Sequence, residues 1–318
     1  MSAALPPLPL AGWRATKDTL HLYCQIVGKV RLATTAPRNH WWNVPLYVDV
    51  RGLTTRRMRH AGTTFAIDLG LVDHALRVRT SDGREDGFVL DGLAVAEFDA
   101  RLHRVLARLG VDVEIREAPF GVLMTTPFPD DREHAAWDRA AVGRYFAVLD
   151  WTDRVLEEFS GWFRGKTSPV HLFWHSFDLA VSRFSGRPAP PLDADAVTRE
   201  AYADEVISFG FWAGDDTIAE PAFYSYTAPE PAGLREQPLT GGAWIDSGTA
   251  SLALLPYEAV RTAADPRRAL LGFLQSAYEA GARAGGWDAA ALESSWCPTP
   301  TELEELVLSA GGPFGRRA

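Results

Sequence analysis

The 318-residue sequence has very little cysteine. Its two cysteines, Cys24 and Cys297, are far apart, and Cys24 falls on the apolar face of a predicted helix. This argues against a disulfide framework and against a cysteine-based zinc site, because both need several suitably spaced cysteines. We therefore expect free thiols in a reducing cytoplasm.

Long apolar runs and an excess of positive charge are also missing. No apolar run reaches the roughly 18 residues that a membrane span needs, and residues 1–10 lack the features of a signal peptide. The net charge of -9 and the pI of about 5.4 argue against a nucleic-acid surface. We expect a cytoplasmic globular protein with no nucleic-acid partner and no membrane partner.

The common catalytic and cofactor motifs are absent. The sequence has no phosphate-binding P-loop, no glycine-rich dinucleotide fingerprint after a strand, no serine nucleophile elbow and no zinc-binding helix motif. Nucleotide hydrolysis and nicotinamide chemistry are disfavoured. We predict neither a cofactor nor a metal.

Lysine is scarce, and this makes a repeated Gly-Lys pair informative. Only three lysines stand among the 32 basic residues, and two of them occur in Gly28-Lys29 and Gly165-Lys166. Each pair follows an apolar helical stretch and precedes an aromatic, histidine-containing segment. We predict that each glycine ends a helix, that each lysine lies near the helix carbonyl end, and that the pairs mark an internal duplication.

Hydrophobic periodicity predicts helices alternating with groups of strands. The predicted helices cover residues 16–29, 93–109, 135–163 and 266–281. The predicted strands cover residues 44–53, 64–69, 75–80, 87–90, 171–184, 205–212, 222–227 and 251–255. The Pro- and Gly-rich stretches 185–196 and 228–242 are predicted loops, which often carry sites.

This order predicts an α+β protein of two similar halves. Each half would contain a helix, four strands and a helix, with antiparallel sheets packed against helices. The first half covers residues 1–118 and a connecting segment covers 119–134. The second half covers 135–290, a C-terminal tail covers 291–318, and the whole is expected to form one compact unit.

Several motifs resemble a known family. The run 168–187 reads SPVHLFWHSFDLAVSRFSGR, and residues 28–29, 39–43, 210–212 and 223–226 extend the similarity. Together they resemble the bacterial domain of unknown function 5996 over most of the chain. The resemblance implies a cytoplasmic bacterial protein and supplies no reaction.

The segment 171–184 carries the strongest candidate ligand site. As a single strand, it would place Trp174, Ser176, Asp178 and Ser182 on one unusually polar face. An indole beside a carboxylate and hydroxyls suits a flat polar ligand, and nearby arginines could clamp an anion. The candidate binding residues are His40, Trp42, Asn43, His171, Trp174, Asp178, Arg183, Arg187, Trp212 and Tyr224.

Catalytic groups are less well defined by the sequence. Asp178, His175 and Glu205 could serve as acids or bases, and Lys166 as a nucleophile. The predicted function is binding, with or without transformation, of a small polar or anionic molecule in a cleft between the halves. The alternative is a non-catalytic interaction or structural module that uses an aromatic-rich surface, and a homodimer is compatible with it.

Overall fold

The computed structural model describes residues 4–248 and 250–294. Within them the chain forms seven α-helices and twelve β-strands. The helices are α1 (Arg14–Thr34), α2 (Val95–Arg108), α3 (Arg139–Gly161), α4 (Ala196–Ala201), α5 (Tyr257–Arg261), α6 (Pro266–Ala284) and α7 (Ala289–Leu292). Cys297 and most of the predicted tail lie outside the described residues.

The first antiparallel sheet lies between α1 and α2 in the chain. Its strands are β1 (Tyr47–Asp49), β2 (Gly52–Thr54), β3 (Met58–His60), β4 (Thr63–Gly70), β5 (Ala75–Thr80) and β6 (Glu85–Val89). The order is β1-β2-β4-β5-β6, and β3 also pairs with β4. Alternate residues of β4, namely Phe65, Ile67 and Leu69, are buried in the same core as the apolar side of α2.

The second antiparallel sheet follows α3. Its strands are β7 (His171–Phe173), β8 (Asp178–Pro188), β9 (Asp204–Trp212), β10 (Ala222–Ala228), β11 (Ala243–Asp246) and β12 (Ser251–Pro256). They are ordered β11-β12-β10-β9-β8-β7, and one face packs against α3 and α6. The α+β prediction with antiparallel sheets packed on helices is therefore confirmed.

Helix α1 connects the two parts of the core. Most of its 21 residues are buried, and it contacts α2, α3 and β3. Its apolar residues belong to one hydrophobic cluster that contains residues of both sheets. No helix in the described ranges is both long and apolar enough to cross a membrane.

The predicted helix end at Gly28 is wrong. Helix α1 continues to Thr34, and Gly28 lies inside it. The helix end predicted at Gly165 is nearer to the observed one, because α3 ends at Gly161, four residues earlier. Gly28 serves close packing rather than termination, as its contact with Trp174 shows below.

The single strand predicted over 171–184 is also wrong. It is a hairpin of β7 and β8, and Phe177 in its turn has a φ of 59°. Each sheet has six strands, not the four predicted for each half. The internal duplication and the division of the chain near residues 118 and 135 stay predictions.

Candidate functional site

A cavity of about 1210 Å³ lies on one face of the second sheet. Side chains on one face of β8, β9 and β10 line it, as the two-residue alternation of strands requires. These residues are Asp178, Ala180, Ser182, Phe184, Val206, Ser208, Trp212, Tyr224 and Tyr226. Because the other face of the sheet is covered by α3 and α6, this face is the one open to a ligand.

Helix α1 forms a second wall with a stripe of polar residues. Lys17, His21, Gln25 and Lys29 recur every four residues and so share one side of the helix. Three of them line the cavity, and Gln25 binds the backbone of Phe120 through bonds of 2.8 and 2.9 Å. The helix thereby fixes the segment around Phe120, which also lines the cavity.

Trp174 packs directly against α1. A Cβ atom added to Gly28 would lie 2.2 Å from Cδ1 of Trp174, so only glycine permits this contact. The indole nitrogen of Trp174 donates to the carbonyl of Val44 at 3.1 Å. Trp174 is 4% exposed, and its ring is held in one orientation at the cavity wall.

Asp178 is the best-positioned polar group on the strand face. One carboxylate oxygen accepts a bond from the hydroxyl of Ser176 and the other from the hydroxyl of Tyr224. Burial, followed by the charge of Asp178, raises the pKa of Tyr224 well above its usual value, so the phenol keeps its proton and donates. A carboxylate oxygen accepts more than one bond, so Asp178 can also accept a donor from a ligand.

Two neutral histidines adjoin this group. Burial and then Lys17 lower the pKa of His21 to about 3, and its Nε2 donates to the carbonyls of Trp174 and His175. Burial also lowers the pKa of His175, against an opposing effect of Asp178. Both rings line the cavity as uncharged groups near neutral pH.

A second polar cluster adjoins the cavity at the segment 39–42. His40 donates from Nδ1 to the carbonyl of Ala201 at 3.2 Å, so its Nε2 accepts from the Lys166 ammonium at 2.6 Å. Lys166 also pairs with Asp204 at 2.7 Å, and this bond lowers the pKa of Asp204. The side chains of His40 and Trp42 then line the cavity, while Lys166 lies behind them.

About half of the site residues predicted from the sequence line the cavity. The predicted residues that line it are His40, Trp42, Trp174, His175, Asp178, Trp212 and Tyr224. All four residues of the predicted polar face, Trp174, Ser176, Asp178 and Ser182, line the cavity, but the segment is a hairpin, and Phe173 and His175 line the cavity as well. His40, Asp178 and Trp212 line the cavity, whereas Asn43 and Arg183, which the same ligand site was expected to include, do not.

The two arginines proposed as an anion clamp are placed elsewhere. Arg183 is buried on the opposite face of β8, where its guanidinium lies 3.5 Å from the centre of the Phe159 ring and donates to the Phe159 carbonyl. Burial lowers the pKa of Arg183 to about 9. Arg187 is exposed and binds Glu205 and the carbonyls of Gly285 and Gly286.

The remaining nominated residues hold local structure. His171 is 1% exposed beside Tyr47, and burial lowers its pKa to about 3. Asn43 accepts a bond from the backbone of Arg38 at 3.2 Å. Glu205 pairs with Arg187. None of these three lines the cavity.

The α1 stripe is the part of the site that sequence reasoning missed. Its signal was present in the sequence, because four polar residues spaced by four share one side of a helix that is mostly apolar from Leu20 to Val30. The chemistry that it adds is cationic, through Lys17 and Lys29. Across residues 4–248 and 250–294, no group of three or more histidine, cysteine, aspartate or glutamate side chains could hold a metal ion.

The fold and the cavity define an α+β protein with an aromatic-lined pocket on one of its two antiparallel sheets. The chain belongs to a family of unknown function, DUF5996, whose family model matches residues 5–294. This match confirms the resemblance that its motifs indicated. No curated protein and no solved structure matches the chain significantly.

Proposed function

We propose that the protein binds a small polar molecule in the cavity on the second sheet. Asp178 would accept a hydrogen bond from a hydroxyl, amino or amide group of the ligand. The aromatic rings around it would contact the flat or apolar part of the same molecule. The cytoplasmic location predicted from the composition agrees with such a metabolite ligand.

The observation that carries this proposal is the carboxylate of Asp178 on an aromatic-lined wall. It is 9% exposed, faces a cavity of about 1210 Å³ and is held in place by two hydroxyl donors. A buried carboxylate is costly to maintain unless it is well hydrogen-bonded or serves a ligand. Binding pockets for small molecules usually measure about 300–1000 Å³, so this cavity has room for a metabolite and bound water.

The geometry supports binding more strongly than catalysis. Two of the nominated catalytic groups, Lys166 and Glu205, are paired with Asp204 and Arg187. The remaining two, Asp178 and His175, are near each other at the cavity wall and can orient a ligand. The interaction-module alternative and the homodimer stay predictions of the composition.

Thermal-shift screening of a metabolite library tests the proposal. A ligand at about 100 times its dissociation constant stabilises a protein by about 2.7 kcal/mol, which corresponds to several degrees in Tm. We expect at least one compound to give such a shift with wild type. Asp178→Asn should lose most of the shift, because its amide removes the negative charge and turns one acceptor into a donor.

Asp193→Asn is the matched control. Asp193 is exposed and lies outside the cavity, so this substitution removes the same charge without changing the pocket. The ligand shift should be retained in this variant. An equal shift in Asp178→Asn and wild type would contradict the role given to Asp178.

A further inference from the structure

Within the part of the chain that the structure describes, Lys29 differs from the other two lysines in having no anionic partner. Lys17 pairs with Asp18 at 3.4 Å and Lys166 pairs with Asp204 at 2.7 Å. Among the described residues, the Lys29 ammonium has neither a carboxylate partner nor a hydrogen-bond acceptor. It is nevertheless only 7% exposed and lines the cavity.

The surroundings of the Lys29 ammonium are aromatic. Its Nζ lies 5.8 Å from the centre of the Trp174 ring and 5.9 Å from that of Phe128. Contacts of this kind with ring faces compensate only part of the hydration that the ammonium of a largely buried lysine loses. The ammonium therefore keeps an unused capacity for charge-assisted hydrogen bonds at the cavity wall.

A second cation increases this local excess of positive charge. Arg116 also lines the cavity, and its charge, after burial, lowers the pKa of Lys29. Glu114 stands two residues earlier on the same cavity-lining segment but forms no ion pair with either cation in the described structure. Repulsion from Arg116 adds to the cost of holding the Lys29 ammonium at the cavity wall, and a bound anion would reduce that cost.

We infer that Lys29 and Arg116 form an anion subsite within the cavity. The inference rests on the proposed function and narrows it to small organic anions that carry a carboxylate or phosphate group. The anionic group binds Lys29 and Arg116, while a hydrogen-bond donor elsewhere in the ligand meets Asp178. Gly28 contributes indirectly, because it allows Trp174 to pack beside the Lys29 ammonium.

The scarcity of lysine makes a direct test practical. Protein labelled with 13C at the lysine Cε atoms gives signals from three side chains, Lys17, Lys29 and Lys166. Lys17→Arg and Lys166→Arg assign them by elimination. Inorganic phosphate and acetate are then titrated separately at constant ionic strength, so that general screening does not change.

The chemical shift of the Lys29 signal should change and reach a plateau with at least one of the two anions. The dissociation constant should lie in the millimolar range, as expected for such small fragments. The Lys166 signal should not saturate with that anion, because that ammonium already pairs with Asp204. Saturation by phosphate indicates a phosphorylated ligand, and saturation by acetate indicates a carboxylic acid. No saturable change at Lys29 with either anion would overturn the subsite.

Arg116→Gln tests whether Arg116 contributes to anion binding. Arg116 is exposed, so we expect the variant to keep the fold. Loss of one charge-assisted contact should weaken the binding of the anion, measured as the dissociation constant from the Lys29 chemical shift, about 10-fold. Arg104→Gln removes an exposed arginine outside the cavity and should leave the affinity unchanged. Equal weakening in both variants would show a general charge effect and overturn the site.

The outcomes separate this inference from the proposed function. Saturation at Lys29 without any compound in the thermal-shift screen would leave the anion subsite standing and count against the wider proposal. A compound that depends on Asp178, without saturation at Lys29, would remove only the anion subsite.

Discussion

At the scale of single residues, Gly28 shows how a missing side chain positions a functional one. Glycine inside a helix ordinarily lowers its stability by about 1 kcal/mol relative to alanine. Here it admits the indole of Trp174 to the helix backbone, next to the cavity. The cost to the helix is offset by the packing of Trp174 against it, beside the Lys29 ammonium.

Gly28→Ala should therefore destabilise the protein in spite of its better helix propensity. The new Cβ would stand 2.2 Å from Trp174, and overpacking of this kind costs about 1–3 kcal/mol. Urea unfolding measures the change. Gly143→Ala in α3 is the control, because an added Cβ there meets nothing within 4 Å and should stabilise by about 0.5–1 kcal/mol. Equal effects at the two glycines would contradict this explanation.

At the scale of elements, the segment 39–42 is held in an uncommon conformation. His40 and Trp41 have φ values of 53° and 60°, a region that costs non-glycine residues free energy. Hydrogen bonds from Lys166 to His40 and from Trp41 to the carbonyl of Val197 hold the segment in place. Since His40 and Trp42 line the cavity, these contacts shape one of its walls.

Lys166→Met should loosen this segment locally. It removes a charged donor from His40 and leaves Asp204 without its lysine partner, and we expect a loss of about 1 kcal/mol after allowing for partial exposure. Hydrogen exchange over residues 39–42 should quicken about 5-fold to 10-fold. Arg187→Met, which breaks a salt bridge outside the cavity, should leave exchange there unchanged. Unchanged exchange in Lys166→Met would contradict the proposed link.

Elements of strong local pattern could be predicted from the sequence, whereas those set by tertiary contacts could not. Strand β5 was predicted over the observed residues 75–80, and α2 and α6 to within a few residues. The turn between β7 and β8 was missed because residues 174–177 contain neither glycine nor proline. Phe177 adopts its positive φ where its ring packs 5.3 Å from Tyr145 and 4.8 Å from His21, contacts that no local pattern reveals.

The candidate site likewise combines residues that local spacing could predict with residues that only tertiary contacts position. Residues on one face of β8 could be grouped from their spacing, because strand alternation survives an error in the strand's start. The same alternation puts Arg183 on the face opposite Asp178, but its burial could not be predicted, since tertiary contacts decide which face packs against α3. The α1 stripe was overlooked because Lys29 was interpreted only as a helix-end residue, although the predicted helix 16–29 contains all four residues.

At the scale of the whole molecule, the buried histidines couple stability to pH. The pKa values of His21 and His171 are lowered to about 3 by burial, from 6.5 when unfolded. The unfolded chain therefore binds protons first as the pH falls. Their contribution to stability is complete above pH 6.5 and is lost progressively between pH 6.5 and 3.

This coupling predicts a measurable loss of stability in mild acid. The interval from the unfolded pKa down to pH 5 is roughly 1.5 pH units. Over this range each histidine should lower the free energy of unfolding by up to about 2 kcal/mol, at about 1.36 kcal/mol per pH unit. His21→Gln keeps a donor near the carbonyls of Trp174 and His175 but cannot be protonated. Urea unfolding at pH 7 and pH 5 should show about 2 kcal/mol less acid-induced loss in this variant. An unchanged difference between the two pH values would contradict the buried, neutral state of His21.

The central claim, that the cavity on the second sheet binds a small molecule, is tested most directly by equilibrium dialysis against a cellular metabolite extract. Mass spectrometry identifies the retained compounds for wild type and for Ala180→Trp, whose indole would occupy space between Asp178 and Ser182 on the cavity wall. Circular dichroism confirms that the variant is folded. We predict that wild type retains at least one compound and that folded Ala180→Trp retains about 10-fold less of it. Retention of no compound by wild type, or equal retention by both proteins, would contradict the account.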